Sequence, residues 1–354
     1  MKKYFFTVFV VMVCLSLSAK KLKFKSNVKN GILFATNKNL VLNKEELQVS
    51  VKISSENEDE FPFGSITGIA VAPDNSLFIA DGSNAEIFHY SEDGKFIKKT
   101  GKKGNGPYEF SVLSSIACFD DKLIVCDSGN HRIYTFDLDG NPVSSTVTSM
   151  TNLKSILRVG DKFVTDSWII SETDSLFLLH SLNDKFEPVG HFGFLSNGGF
   201  DFKSLIRNMS DICVNSKGEI YVNTLESGII SKYKNGKKTA EIKRPLLQKS
   251  SKTGIESQKD GARMVYTAEI KSVSSMAAVD SKDNFYSVLR PSKSEEDEAE
   301  SVLQIINPDG KVIGNYSLGN KKADALAIDG NDCIWIVDTE ENEMIYKFEP
   351  VAEK

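Results

Sequence analysis

Two short apolar runs split by a polar turn recur along this chain, and no other feature constrains its fold as much. The clearest copies pair Gly68-Ile69-Ala70-Val71 with Leu77-Phe78-Ile79-Ala80-Asp81, and Ser115-Ile116-Ala117-Cys118 with Leu123-Ile124-Val125-Cys126-Asp127. A third pairs Ala325-Leu326-Ala327-Ile328 with Ile334-Trp335-Ile336-Val337-Asp338. Pro73-Asp74-Asn75, Asp120-Asp121 and Asp329-Gly330-Asn331 separate the two runs. Apolar runs of this length bounded by Asp, Asn and Gly predict buried strands joined by tight turns. Weaker copies begin at Ile156, Ile212 and Met276, which brings the number to six. The intervals from Ile156 to Ile212 and from Ile212 to Met276 exceed the about 40–50 residues of a propeller repeat, so two copies carry insertions.

A third strand and a hairpin signal follow the second run. Ile87–Tyr90 precedes Asp93-Gly94, Ile133–Phe136 precedes Asp139-Gly140, Lys232-Tyr233 precedes Asn235-Gly236, and Leu303–Ile306 precedes Asp309-Gly310. Such pairs permit the positive φ of tight hairpins. A fourth strand, such as Phe96–Lys99, comes next. Four antiparallel strands per repeat make a propeller blade. The sixth copy ends without a fourth strand, while Leu47–Ile53 alternates apolar and polar and has no partner of its own. The expected architecture is therefore all-β: a six-bladed β-propeller over residues 47–354, with the N-terminal strand completing the last blade and leaving no orphan edge.

The first residues read differently. Lys2-Lys3, the apolar stretch Tyr4–Leu17 and the small residues up to Ala19 predict a signal peptide over 1–19, followed by a lead-in over 20–46. Secretion or periplasmic export follows. The apolar run is short for a bilayer span, and no membrane span is expected after cleavage. Cys14 lies inside that run behind Val13, which argues against a lipoprotein. The formal net charge of −5 argues against a nucleic-acid partner, which needs a basic face. Cys118, Cys126, Cys213 and Cys333 sit in apolar runs with no CxxC pattern, so free buried thiols are expected. A monomer is expected.

Ile69-Ala70-Val71 with Phe78-Ile79-Ala80-Asp81 resembles the NHL-repeat propellers, as does the stretch Asp127–Asp137. Gly101–Phe110 resembles the inter-blade linker of bacterial exported six-bladed propellers. The resemblance begins near Ile66. The fourth and fifth copies depart from it, with Thr224 and Leu289 in place of the Asp after the second strand. NHL-type propellers include protein-binding scaffolds, lyases and relatives of lactonases, so the resemblance implies a fold and not a function.

If the first strand of each blade lines the channel, the inter-blade linkers share one face with the loops after each second strand. The Asp column of Asp81, Asp127, Asp166 and Asp338 falls on that face. It forms either an acidic ring for a cation or basic ligand, or a set of Asx caps that bind their own turns. A calcium-dependent, lactonase-like site would need several oxygen ligands at the channel mouth. Only Asp211 and Asp324 are acidic there, and Lys154 opposes a cation. His89, His131, His180 and His191 are too scattered to predict a zinc site. Tyr108 and Trp168 are candidate contact aromatics of the same face. A basic insertion, Arg244–Ser272, and an acidic one, Arg290–Ser301, join them as solvated loops or a lid. The reading is an exported binding or interaction propeller without intrinsic catalysis and without a cofactor. Its protein, peptide or small-molecule partner would bind the linker face. The alternative is a metal-dependent hydrolase or lyase that uses the channel mouth, with Ca2+ as the metal.

Overall fold

The computed structural model describes residues 23–54, 63–150, 153–166, 177–194, 209–225, 227–247, 254–260, 263–269, 272–291, 300–319, 321, 323–338 and 344–351. The leader expected over 1–19 lies outside them. The described residues hold strands and turns and no helix. Three strands come first: β1 (Phe24–Lys29), β2 (Ile32–Asn37) and β3 (Val49–Ser54). The first blade is β4 (Ile66–Val71), β5 (Leu77–Asp81), β6 (Glu86–Tyr90) and β7 (Phe96–Thr100). The second is β8 (Leu113–Phe119), β9 (Lys122–Asp127), β10 (Arg132–Asp137) and β11 (Pro142–Val147). The third is β12 (Ile156–Val159), β13 (Lys162–Thr165), β14 (Phe177–Leu182) and β15 (Pro188–Phe194). The fourth is β16 (Ser210–Val214), β17 (Ile220–Thr224), β18 (Ile229–Lys234) and β19 (Lys237–Lys243). After the hairpin β20 (Gly254–Asp260) and β21 (Arg263–Glu269), the fifth is β22 (Ser272–Val279), β23 (Phe285–Pro291), β24 (Val302–Ile306) and β25 (Val312–Ser317). The sixth is β26 (Ala325–Ile328), β27 (Ile334–Asp338) and β28 (Met344–Phe348), with β3 as its outer strand.

The continuous apolar runs have a physical cause. Each sheet is covered on both faces by neighbouring blades, and strand residues alternate between those faces. Leu77 and Ile79 of β5 pack with the sixth blade, while Phe78 and Ala80 pack with the second. Ile334 and Ile336 of β27 pack with the fifth blade, and Trp335 and Val337 with the first. One apolar cluster fills each of the six inter-blade gaps.

Turn chemistry repeats with the blades. Gly94, Gly140, Gly236 and Gly310 hold φ between 67° and 81° at the hairpins that join third to fourth strands. Asn75, Asp120, Asp283 and Asp332 adopt positive φ in the turns between first and second strands. There the carboxylates and amides tie one blade to the next. Asn75 Oδ1 accepts the Gly330 N–H at 2.8 Å, Asp283 Oδ1 accepts Ser216 N–H at 2.9 Å, and Asp332 Oδ1 accepts Ser281 N–H at 2.7 Å.

The N-terminal region departs most from expectation. β3 pairs with β28 antiparallel, Ile53 opposite Ile345 and Val49 opposite Phe348. The lead-in is itself structured. β1 and β2 form a hairpin around Asn30-Gly31, with φ of 51° and 75°, and β2 adds in parallel to β19 of the fourth blade. The chain from 38 to 48 then crosses the fifth blade, where Asn43 N–H donates to the Asn315 carbonyl at 2.8 Å. Residues 23–54 thus strap the outer edges of three consecutive blades.

Cys118, Cys126, Cys213 and Cys333 are free. Cys118 pairs across its hairpin with Leu123, as the tight turn requires. Burial pushes the Cys126 thiol up to about 12 and that of Cys118 to about 12, which suits packing rather than nucleophilic roles.

Candidate site at the channel mouth

The first strands β4, β8, β12, β16, β22 and β26 line a central channel of about 540 Å³. Its walls are apolar along much of their length, through Ile69, Ala117, Leu157, Ala277 and Ala327. The register fixes its polarity. Ile66 lies opposite Asp81, Leu113 opposite Asp127, and Ser210 opposite Thr224. The starts of the first strands and the ends of the second strands therefore share the linker face.

The Asp column does two different jobs. Asp81 is fully buried, and its carboxylate accepts N–H groups of Gly64, Ser65, Ser83 and Asn84 at 2.7 to 3.2 Å, plus Asn84 Nδ2. Asp127 repeats the pattern with Ser111, Val112, Gly129, Asn130 and Asn130 Nδ2. Each carboxylate clamps the incoming linker as well as its own turn, so neither faces the channel. Asp338 is likewise buried. Tyr108, at φ 58°, packs its ring on Tyr134 and Phe136 inside the linker between the first two blades. Trp168 lies outside the described residues.

Asp166, Asp211 and Asp324 sit where charge is available. Lys154 Nζ bridges to Asp211 Oδ1 at 2.8 Å and donates to the Ser210 carbonyl. Arg290 pairs with Asp324 at 3.2 Å. All four charged side chains keep between a fifth and a third of their surface exposed. Lys154, which in the sequence opposes a cation, is thus the partner of Asp211, and Arg290, which opens the acidic insertion, is the partner of Asp324.

Asp166 is buried beside this group and accepts Ser155 N–H at 3.0 Å. Burial pushes its pKa up to about 6; Lys154 works against the shift and Asp211 adds to it. Burial also disfavours the Lys154 ammonium, but Asp211 and Asp166 outweigh it and hold its pKa above the ordinary lysine value. The folded protein therefore binds the Asp166 proton more tightly than the unfolded chain does. This contribution to stability is present at acid pH and is lost as pH rises from about 4 through about 6, by up to about 3 kcal/mol. Asp166→Asn should remove that fall. Denaturant melts of parent and variant between pH 4 and 8 measure it, and curves that run parallel would contradict the assignment.

Met276 marks strain at the mouth. It holds φ of 65° at a bulge in β22, between Ser275 and Ala278. A non-glycine residue in this region costs about 1–2 kcal/mol and needs support from its surroundings. Its N–H donates to Asp211 Oδ2 at 2.7 Å, and its carbonyl accepts Asn223 Nδ2 at 2.8 Å. Propensity gives no hint of this conformation, since tertiary bonds impose it.

The two insertions differ from the loops expected. The basic one contains the hairpin of β20 and β21, with Gly254 opposite Glu269 and Asp260 opposite Arg263. Most of the acidic one, residues 292–299, lies outside the described residues. Among the described residues, no three His, Cys, Asp or Glu side chains gather in a group able to hold a metal. The histidines lie on third and fourth strands and at one turn: His89 on β6, His180 on β14, His191 on β15, and His131 at φ 51° before β10. No helix among the described residues is long and apolar enough to cross a membrane.

Comparisons with known proteins agree with this geometry. A family model described as a 6-bladed beta-propeller matches residues 20–172. A probable peptidyl-α-hydroxyglycine α-amidating lyase of Caenorhabditis elegans is 28% identical over 116 residues, a match that covers 30% of this chain and 33% of the lyase. A candidate exported protein of Bacteroides fragilis has a similar structure, with a TM-score of 0.59 at 10% identity over 90% of this chain and 99% of the other. A catalytically inactive variant of virginiamycin B lyase from Staphylococcus aureus, solved with quinupristin, gives 0.51 at 11% identity over 86% and 100% of the two chains. At such identities the structural likeness carries the fold alone: the chain is a six-bladed β-propeller.

Proposed function

We propose that this chain is an exported binding propeller that takes its ligand at the channel mouth on the linker face, with no chemistry or cofactor of its own. One observation carries the reading. The fold uses Asp81 and Asp127 for its own linkers, whereas Lys154, Asp211, Arg290 and Asp324 present partly exposed charges above an apolar channel. A concave, mostly apolar site with a few convergent polar groups is the usual form of a ligand pocket, and about 540 Å³ falls within the common size range. The leader-like residues 1–19 and the likeness to a candidate exported protein support export.

A thermal-shift screen with short peptides, amino acids and oligosaccharides tests the reading. A ligand present at a hundredfold excess over Kd stabilises by about 2.7 kcal/mol. Lys154→Met and Asp324→Asn should each abolish the shift. A screen without hits, or hits that survive both substitutions, counts against the mouth as the site.

A hydrolase or lyase of the metal-dependent propeller type is the second reading; the similarity to the C. elegans lyase, which covers 33% of that protein, favours a lyase activity. Elemental analysis of the purified protein separates the two: stoichiometric zinc or calcium supports the lyase, and a metal-free protein that still binds its ligand supports the first reading.

A further inference from the structure

A continuous line of hydrogen bonds, buried through its middle, runs from the outer strap to the channel mouth through the gap between the fourth and fifth blades. It starts at the strap, where Asn315 Nδ2 donates to the Val41 carbonyl at 3.0 Å and Asn315 N–H donates to Asn43 Oδ1 at 2.9 Å. Gln304 Nε2 donates to Asn315 Oδ1 at 2.9 Å, and Gln304 Oε1 accepts from an Arg244 Nη at 3.0 Å. The same Nη reaches Ser287 Oγ at 2.5 Å, and the other Nη reaches Asn223 Oδ1 at 2.5 Å. Asn223 Nδ2 then donates to the Met276 carbonyl, whose residue donates its N–H to Asp211, the partner of Lys154.

Asn223, Ser287, Gln304 and Asn315 are fully buried, and Arg244 nearly so. An amide in the line offers its oxygen to one neighbour and its NH2 to the next, so each orientation fixes the following one. A buried polar group that loses its partner keeps its full desolvation penalty, so a break at one end is felt along the line. The line ends on the strained residue of the channel wall, whose φ of 65° depends on bonds at both its N–H and its carbonyl.

We infer that the strap residues Val41–Asn43 position the channel mouth, acting through Asn315, Gln304, Arg244 and Asn223 on the Met276 bulge and so on Asp211 and Lys154. This inference deepens the binding function proposed for that mouth, but its geometry stands without a ligand.

The test uses Asp166 as a reporter, since it senses Asp211 and Lys154 and bonds to none of the residues changed. Its carboxyl 13C resonance is titrated by NMR in the full mature chain. Breaking the line withdraws the Met276 N–H from Asp211 and leaves that negative charge less dispersed. Gln304→Leu cuts the line, and Asn43→Ala frees the Asn315 backbone N–H and loosens the strap that holds the Asn315 amide; the Asp166 midpoint should rise by about half a unit in both. Asn37→Ala is the control. Asn37 also clamps the strap to the fourth and fifth blades, through Gly310 and Lys243 carbonyls and Val312 N–H, but lies off the line. It should lower stability and leave the midpoint in place. A midpoint unmoved by Asn43→Ala, or moved equally by Asn37→Ala, overturns the proposal. If Gln304→Leu does not fold, the comparison of Asn43→Ala with Asn37→Ala still decides. The readout needs no ligand, so a failure here is distinct from a failure of the binding reading.

Discussion

A chain that begins at residue 55 is expected to lose more than about 5 kcal/mol and to aggregate when expressed. Three separate losses add up. The ladder between β3 and β28 goes, together with Ile53, which is buried with Trp335 and Ile345 between the sixth and first blades. Ala35 of β2 leaves the cluster between the fourth and fifth blades, and Asn37 takes with it three hydrogen bonds. The bonds of Asn43 to Asn315 and Tyr316 vanish over the fifth blade. Domain stabilities lie near 5–15 kcal/mol, so the remainder would sit at the edge of folding. It would also expose the outer edges of β19 and β28 to pairing with other chains. A chain beginning at residue 38 keeps β3 and should show a smaller loss and no exposed edge at β28. Urea denaturation and size-exclusion chromatography of both truncations measure this. A protein starting at residue 55 with the parent's melting temperature and solubility would show the strap to be dispensable.

Much of this fold could be read before any coordinates. The second strands declare themselves because a sheet covered on both faces needs an unbroken apolar run, as in Leu77–Asp81 and Ile334–Asp338. The hairpins declare themselves because glycine takes positive φ freely. Asn30-Gly31 carries the same signal for the hairpin of β1 and β2, where it stands between Phe24–Lys29 and the apolar run Ile32–Ala35. The polar strand β1, with only Phe24 and Val28 apolar, gives the strand pattern little weight beside the leader-like residues 1–19.

The candidate site was legible as a set of positions and not as a set of contacts. Asp81, Asp127 and Asp166 follow their second strands alike, yet linker amides surround the first two while Lys154 and Asp211 lie near the third. Which amide reaches which carboxylate depends on how the next blade is placed, and a local pattern does not carry that. Arg244 is the sharper case. At the head of a basic insertion it reads as a solvated charge, but it is buried among Asn223, Ser287 and Gln304, and burial pushes its pKa down to about 9. Those polar partners lie on strands that otherwise read as core.

Asp127→Ala should cost about 3–5 kcal/mol, among the largest effects of any single substitution in the second blade. The carboxylate is fully buried and accepts five N–H bonds at 2.9 to 3.1 Å. Hydrogen bonds to a charged acceptor are worth about 1.5–3 kcal/mol each, and orphaned donors keep their desolvation penalty, although water entering the cavity would recover part of it. Asp127→Asn should be nearly as damaging despite its shape. Its Oδ1 still serves Val112, Gly129 and Asn130, but an NH2 group now meets Ser111 N–H and Asn130 Nδ2, donor against donor. Asp81→Ala in the first blade should behave alike, because its five donors match one for one. The substitutions should lower the urea midpoint, and the ligand binding proposed for the channel mouth should persist in the fraction that folds. Should Asp127→Asn retain the parent's stability and instead abolish ligand binding, the carboxylate belongs to the binding site and the division of the Asp column is wrong.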